Sequence, residues 1–107
     1  MPPTDAVLVL SSLPADRATE LARLLVEERL AACVSLTPVT SCYRWDGAVT
    51  TDAEQLAIIK TTAAAAPALT TRLVAEHPYQ VPEILVLPVS DGHPPYLRWL
   101  VGEVAPR

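Results

Sequence analysis

The sequence of 107 residues has no phenylalanine, three glycines, two cysteines and fewer basic than acidic residues. Because the glycines are not clustered, they cannot form a glycine-rich phosphate loop. Eight Lys and Arg against twelve Asp and Glu give a formal net charge of −4, which argues against a nucleic-acid-binding face. No apolar run approaches the roughly 20 residues of a membrane span, and no signal peptide is visible. We therefore expect a cytoplasmic protein that binds neither nucleic acid nor a membrane.

The two cysteines, Cys33 and Cys42, fall nine positions apart on one predicted strand, which separates them by roughly 30 Å. A disulfide requires Cα atoms within about 7 Å, so the two cannot bridge each other. The sequence contains no CxxC or HxxxH spacing, which leaves a structural zinc site unsupported. Each cysteine alone is best interpreted as a small buried apolar residue.

Half of the residues are apolar, so the chain can bury one core, and we predict a single domain over residues 1–107. The residue pattern predicts the order strand, helix, strand, strand, helix, strand and short helix. The predicted ranges are 6–10, 15–30, 32–45, 48–61, 63–76 and 81–89, with the last helix starting at Pro94. This order is the ferredoxin-like split βαβ arrangement of an α+β protein, an antiparallel sheet (βαββαβ) with two helices on one face.

The two middle strands form a hairpin, because Asp46-Gly47 between them is typical of a type I′ turn. In the first strand of this hairpin, residues 32–45, the alternation of bulky and small or polar residues is interrupted. Its bulky residues are even-numbered up to Leu36 and odd-numbered at Tyr43 and Trp45. One extra residue would produce this switch, so we predict a β-bulge at Pro38.

The predicted hairpin is too long for its domain. Strands of about 14 residues extend on the order of 46 Å, whereas a compact domain of this size is roughly 30–35 Å across. An isolated two-stranded arm is marginally stable, and two helices leave one sheet face bare. We therefore expect a homo-oligomer with a protruding hairpin and with Tyr43, Trp45 and Trp99 at the subunit interface. The alternative is a hairpin that bends back in a monomer.

The segment His77-Pro78-Tyr79-Gln80-Val81-Pro82-Glu83 is the strongest candidate for a binding site. His77 is the best single metal ligand, and the carboxylates of Glu76 and Glu83 lie close to it in sequence. A few such ligands at an oligomer cleft could hold a divalent cation, copper or zinc, weakly. The alternative interpretation is a well-capped connection, with His77 at the negative end of a helix dipole. His93 beside Asp91 is a weaker candidate.

Enzymatic chemistry is not supported by any pattern in the chain. It shows no Ser-His-Asp order and no nucleophile elbow. We therefore expect a binding protein that is not an enzyme.

Five sequence blocks, in order and at matching spacing over about residues 6–104, closely resemble the CutA family of divalent-cation tolerance proteins. The resemblance implies a ferredoxin-like fold and a homotrimer in which the long hairpins pair between subunits. It also implies binding of copper or other divalent cations and a role in divalent-cation tolerance. The blocks are Leu30-Ala31-Ala32-Cys33-Val34, Ser41-Cys42-Tyr43-Arg44-Trp45-Asp46-Gly47, Ile59-Lys60-Thr61, His77-Pro78-Tyr79-Gln80-Val81-Pro82-Glu83-Ile84 and Tyr96-Leu97-Arg98-Trp99.

Residue by residue, the resemblance assigns His77 to a histidine proposed as a metal ligand in the family. Two further positions proposed as ligands in some members hold Ser11 and Glu76 here. A serine hydroxyl is a poor copper ligand and a carboxylate is a harder ligand than imidazole, so this chain is expected to have a weaker site for a harder divalent cation.

The resemblance also implies an alternative function, because the family architecture is similar to that of PII-type signalling trimers. Those trimers bind small ligands in clefts between subunits. Lys60, Arg44 and Tyr79 would be the cleft residues that bind a small metabolite or anion here.

Overall fold

Four strands and three helices follow one another in residues 4–106, the part of the chain that the computed structural model describes. Their bounds are β1 Ala6–Leu13, α1 Ala18–Glu27, β2 Cys33–Trp45, β3 Ala48–Thr62, α2 Ala66–Glu76, β4 Leu85–Pro88 and α3 Pro94–Glu103. The strands form one antiparallel sheet in the order β2-β3-β1-β4. This is the ferredoxin-like α+β fold that the element order predicts. None of the described helices is long and apolar enough to cross a membrane.

The core lies between one face of the sheet and the helices α1 and α2. Odd-numbered residues of β1 and β3 point into it, and Val9 and Ile59 have no exposed surface. Leu21 and Leu25 of α1, four residues apart, contribute the buried stripe of that helix. The helix ends before residue 30 because Arg29 adopts a left-handed conformation with φ of 57°. It is therefore shorter than predicted at both ends.

The β2–β3 hairpin pairs without interruption from Cys33 opposite Lys60 to Trp45 opposite Ala48. The predicted bulge at Pro38 is wrong, since Pro38 pairs with Gln55 in the same register as its neighbours. Near the helices, Val34 and Leu36 are partly buried against the core. Farther out, where the helices no longer cover β2, Val39 and Ser41 on the other side of the strand are partly buried instead. The buried side therefore changes along β2 without an extra residue. A proline is tolerated because β2 is an edge strand of this sheet.

The turn at the tip of the hairpin has positive φ at both central residues, 50° at Asp46 and 79° at Gly47, as a type I′ turn requires. The described chain measures 44 × 29 × 21 Å along its principal axes. The long axis agrees with the length expected of an extended hairpin, which does not fold back on the domain.

The last strand is shorter than predicted, covering Leu85–Pro88 rather than residues 81–89. It pairs with β1 only as far as Leu10. Pro78 and Pro82 have no backbone N–H to donate to a ladder, and the segment 77–84 leaves the sheet edge as irregular chain. This segment is therefore free to approach the hairpin.

The sheet face opposite α1 and α2 is largely apolar. By strand alternation it presents Leu8 and Leu10 of β1 and Ile58 of β3, all half-buried, beside the exposed Leu85 and Leu87 of β4. Leu85 and Leu87 are 55% and 40% exposed. Lys60 of β3, which pairs with Leu8, adds a basic residue to the same side of the sheet. We call the five apolar residues the open face.

We predict that Ser11→Ala stabilises the fold. Ser11 lies on the core side of β1 with no exposed surface, and its Oγ has no hydrogen-bond partner in residues 4–106. Removing this desolvated hydroxyl should raise the free energy of unfolding by about 1 kcal/mol. Chemical denaturation at fixed protein concentration measures the change.

The matched control is Ser12→Ala, since Ser12 is the half-buried neighbour on the other side of the same strand. We expect that variant to change the free energy of unfolding by less than about 0.5 kcal/mol. A loss of stability in Ser11→Ala would contradict the prediction.

Candidate functional site

A cleft of about 600 Å³ lies between the outer part of the hairpin and the segment 77–83. We call it the hairpin cleft. Three aromatic residues and two carboxylates dominate its lining: Tyr43, Trp45, Tyr79, Glu54 and Glu83. Its other lining residues are uncharged, so within residues 4–106 no basic side chain lines it. The electrostatic character of the cleft is therefore acidic.

Tyr79 joins the segment to the hairpin. Its hydroxyl donates a hydrogen bond of 2.7 Å to Glu54 Oε2, and Glu54 is only 7% exposed. Burial and the neighbouring Glu54 carboxylate raise the pKa of Tyr79 above its ordinary value. At neutral pH the phenol is protonated and acts as a donor.

A second phenol–carboxylate pair lies farther along the same side of the hairpin. The hydroxyl of Tyr43 donates to Asp52, and this bond raises the pKa of Tyr43. Asp52 and Glu54 are two residues apart on β3, so alternation places both on one face. The hairpin thus carries a row of carboxylates that are bonded to neutral donors.

His77 holds the start of the segment in place. It ends α2, is 6% exposed, and has both ring nitrogens in hydrogen-bonding contact. Nε2 lies 2.9 Å from the carbonyl oxygen of Ser12, and the backbone N–H of Tyr79 donates to Nδ1 at 3.2 Å. This pattern assigns the proton to Nε2, so Nε2 donates and Nδ1 accepts. With both nitrogens engaged, His77 offers no free lone pair to a metal in this arrangement.

The other residues predicted as metal ligands are separated from one another. Glu76 pairs with Arg72, which also bridges to Glu28, the residue that follows α1, at 2.8 Å. The bond from Arg72 lowers the pKa of Glu28. Ser11 faces the core, and only Glu83 of the predicted ligands lines the hairpin cleft. No group of three or more His, Cys, Asp or Glu within residues 4–106 is arranged to hold a metal ion.

The residues predicted for a small-ligand cleft are also divided. Tyr79 lines the hairpin cleft, but Lys60 and Arg44 do not. Lys60 lies nearer the base of the hairpin, where it donates to Ser35 and its Nζ is 4.0 Å from Cys33 Sγ. The structure thus brings no cationic side chain to Tyr79 in the described chain.

The predicted interface aromatics are all partly exposed. Tyr43 and Trp45 are 40% and 47% exposed and line the cleft. Trp99, 45% exposed, lies on α3 with its ring 5.5 Å from that of Tyr96. The weaker candidates, His93 and Asp91, serve as turn and cap residues before α3.

Sequence reasoning missed Glu54 and Cys42. Both cysteines are free as expected, but Cys42 is exposed, so its interpretation as a buried apolar residue is wrong. Glu54 stands in the polar outer half of β3 and looks like a solvated residue. Its spacing of two from Asp52, opposite Val39 and Ser41, was the available signal of a shared face.

The fold and the cleft define a ferredoxin-like α+β domain with an extended hairpin. Residues 7–103 match the family described as "CutA1 divalent ion tolerance protein". The divalent-cation tolerance protein CutA of Thermus thermophilus is 50% identical over 95 residues, covering 87% of this chain and 92% of that protein. The chain therefore belongs to the CutA1 divalent ion tolerance family, which confirms the resemblance found in its sequence.

Solved structures share the fold. CutA from Xylella fastidiosa superposes with a TM-score of 0.92 at 43% identity, covering 95% of this chain and all (100%) of that one. The "PII-like protein CutA" from Nostoc sp. PCC 7120, in apo form, gives 0.90 at 36% identity, covering 92% of this chain and 97% of that one. The chain spans about half the length of the mouse and human relatives, 48% and 47%.

We predict that Tyr79→Phe destabilises the fold. Loss of the hydroxyl leaves the buried Glu54 carboxylate without its donor, which costs about 1–3 kcal/mol in the free energy of unfolding. Denaturation at fixed protein concentration measures the loss. The matched control is Tyr96→Phe, whose hydroxyl makes no hydrogen bond within residues 4–106, and it should change stability by less than about 0.5 kcal/mol.

The effect of Tyr79→Phe should depend on pH. Because the folded-state pKa of Tyr79 is raised above the unfolded value near 10, the bond contributes fully below about pH 10. Its contribution is lost as pH rises through the folded-state pKa. The stability difference from the wild type should thus shrink in alkaline solution, and a difference that grows there would contradict the assignment.

Proposed function

We propose that this chain acts in divalent-cation tolerance as a homotrimer that binds divalent cations weakly at the hairpin cleft. The observation that carries the proposal is the acidic lining, in which Glu54 and Glu83 face the cavity without a basic lining residue in the described chain. Such a cavity attracts cations and repels anions. Membership of the CutA1 family and the name of the Thermus relative support the same role.

The donors available in one subunit are the carboxylates of Glu54 and Glu83. Carboxylate oxygens suit hard or borderline cations. They are too few and too widely spaced to complete a metal site within residues 4–106. We therefore place the bound cation between subunits, with donors from more than one chain. His77 positions the segment and is not proposed as a ligand.

The trimer is supported by two features of the single chain. The open face is an apolar surface with exposed leucines on β4, and β2 is an edge strand that extends beyond the helices. Both features expose groups that a second chain would cover. Assembly through them would place the hairpin clefts beside neighbouring subunits.

The alternative is a PII-like signalling trimer that binds a small metabolite or anion. Its support is the printed name of the Nostoc structure, "PII-like protein CutA". The positions of Lys60 and Arg44, outside the lining of the cleft, favour the cation-binding role. We propose binding rather than catalysis in either case. The cytoplasmic location stays a prediction, and the Oryza sativa and Arabidopsis thaliana relatives are named chloroplastic.

We predict that Glu83→Gln weakens zinc binding about tenfold or more, because it removes a charged donor from the cleft. Isothermal titration calorimetry with Zn²⁺ measures the affinity. Glu103→Gln is the control, since Glu103 is an exposed carboxylate at the end of α3, outside the cleft. Equal zinc affinity in the two variants, or no zinc binding by the wild type, would overturn the metal role.

We predict that Leu85→Lys dissociates the trimer, because it places a charge on the open face. Light scattering should report about three times the 11.5 kDa chain mass for the wild type and a smaller mass for the variant. Val74→Lys is the control, since Val74 is 51% exposed against 55% for Leu85 but lies on α2. A wild-type mass near that of one chain would contradict the trimer.

A further inference from the structure

We propose that the hairpin cleft also binds a small organic cation that carries a primary ammonium group. The inference rests on the proposed role of the cleft as a cation site and adds a second class of ligand. Three observations support it: an unpaired buried charge, aromatic walls and the size of the cavity.

The unpaired charge belongs to Glu54. This residue is 7% exposed and lines the cleft, yet its one hydrogen bond within residues 4–106 comes from the neutral hydroxyl of Tyr79. None of the salt bridges formed in that range includes Glu54. Ser11 Oγ is the one buried side-chain N or O atom without a partner in that range, so Glu54 Oε1 is open to the cleft, where a bound cation would pair with the charge.

The oxygen of Glu54 that accepts no hydrogen bond within residues 4–106 favours a cation that can donate one. Tyr79 bonds Glu54 Oε2, which leaves Oε1 without a donor from the described residues. A primary ammonium group carries three N–H donors and can satisfy this oxygen, whereas a quaternary ammonium cannot. Charge-assisted bonds of this kind are about twice as strong as neutral ones.

The walls of the cleft are aromatic, with Tyr43, Trp45 and Tyr79 around the carboxylates. Aromatic faces attract ammonium groups through the ring quadrupole, and tryptophan does so best. The same rings pack against the alkyl chain of an organic amine. A bare metal ion makes no use of such walls.

The volume of the cleft, about 600 Å³, exceeds what one metal ion occupies and falls within the range of small-molecule sites. A second carboxylate, Glu83, also lines it. A diamine therefore offers a second ammonium group to a cleft with a second carboxylate, and 1,4-diaminobutane is the probe.

The experiment is calorimetric titration of the intact assembled protein with 1,4-diaminobutane and with its neutral counterpart, 1,4-butanediol. We expect the diamine to bind and the diol to give no binding heat. Glu54→Gln should weaken diamine binding about tenfold or more, and Trp45→Leu about 2- to 30-fold. Tyr96→Leu is the matched control, because Tyr96 is an aromatic residue of similar exposure, 43% against 47% for Trp45, but lies outside the cleft, and it should bind as the wild type does.

Absence of diamine heat, equal binding of the diol, or equal losses in Trp45→Leu and Tyr96→Leu would overturn the inference. Circular dichroism and the assembled mass establish that each variant is folded, and the diamine–diol comparison needs no variant. A parallel zinc titration separates the two proposals. Zinc binding without diamine binding rejects this inference alone, and diamine binding without zinc binding supports it while rejecting the metal role.

Discussion

The uninterrupted ladder between β2 and β3 is the constraint on which the rest of the molecule depends. A single register runs from Cys33 to Trp45, so one alternation decides both ends of the hairpin. Near the helices it directs Ile59 into the core, and farther out it directs Glu54 into the cleft. A slip by one residue would reverse every side chain, exposing the core residue and removing the carboxylate together. Core and cleft are therefore specified by the same hydrogen bonds.

In the described part of the chain, two carboxylates of the hairpin are bonded to neutral phenols and not to cations. A nearly buried carboxylate bonded to a neutral phenol is a costly arrangement, and two phenol–carboxylate pairs occur along the hairpin. Elsewhere the chain satisfies its charges conventionally, as in the bridge from Arg72 to Glu28 and Glu76. Departures of this kind are expected where a protein binds something. The contrast between the helix surface and the hairpin thus supports the binding role that we propose for the hairpin.

The sequence was sufficient for the element order, the type I′ turn and the extended arm, because these follow from local periodicity and from Asp46-Gly47. It was insufficient for the bulge proposed at Pro38. The exposure of a strand depends on which helices cover it, and that information is tertiary. The site was only partly predictable for the same reason. Tyr79 and Glu83 were found from their unusual segment. Glu54 lines the cleft because the β2–β3 pairing carries this part of β3 next to that segment, and the local sequence pattern does not reveal this proximity.

The hydrogen bonds of His77 determine how the phenotype of a His77 substitution should be interpreted. Its ring fixes the carbonyl of Ser12 and the backbone of Tyr79, and the phenol of Tyr79 in turn contacts Glu54. Replacing the imidazole would loosen this chain of contacts and disturb ligand affinity at a distance. A phenotype of such a mutant would resemble that of a lost coordinating group while arising from lost scaffolding.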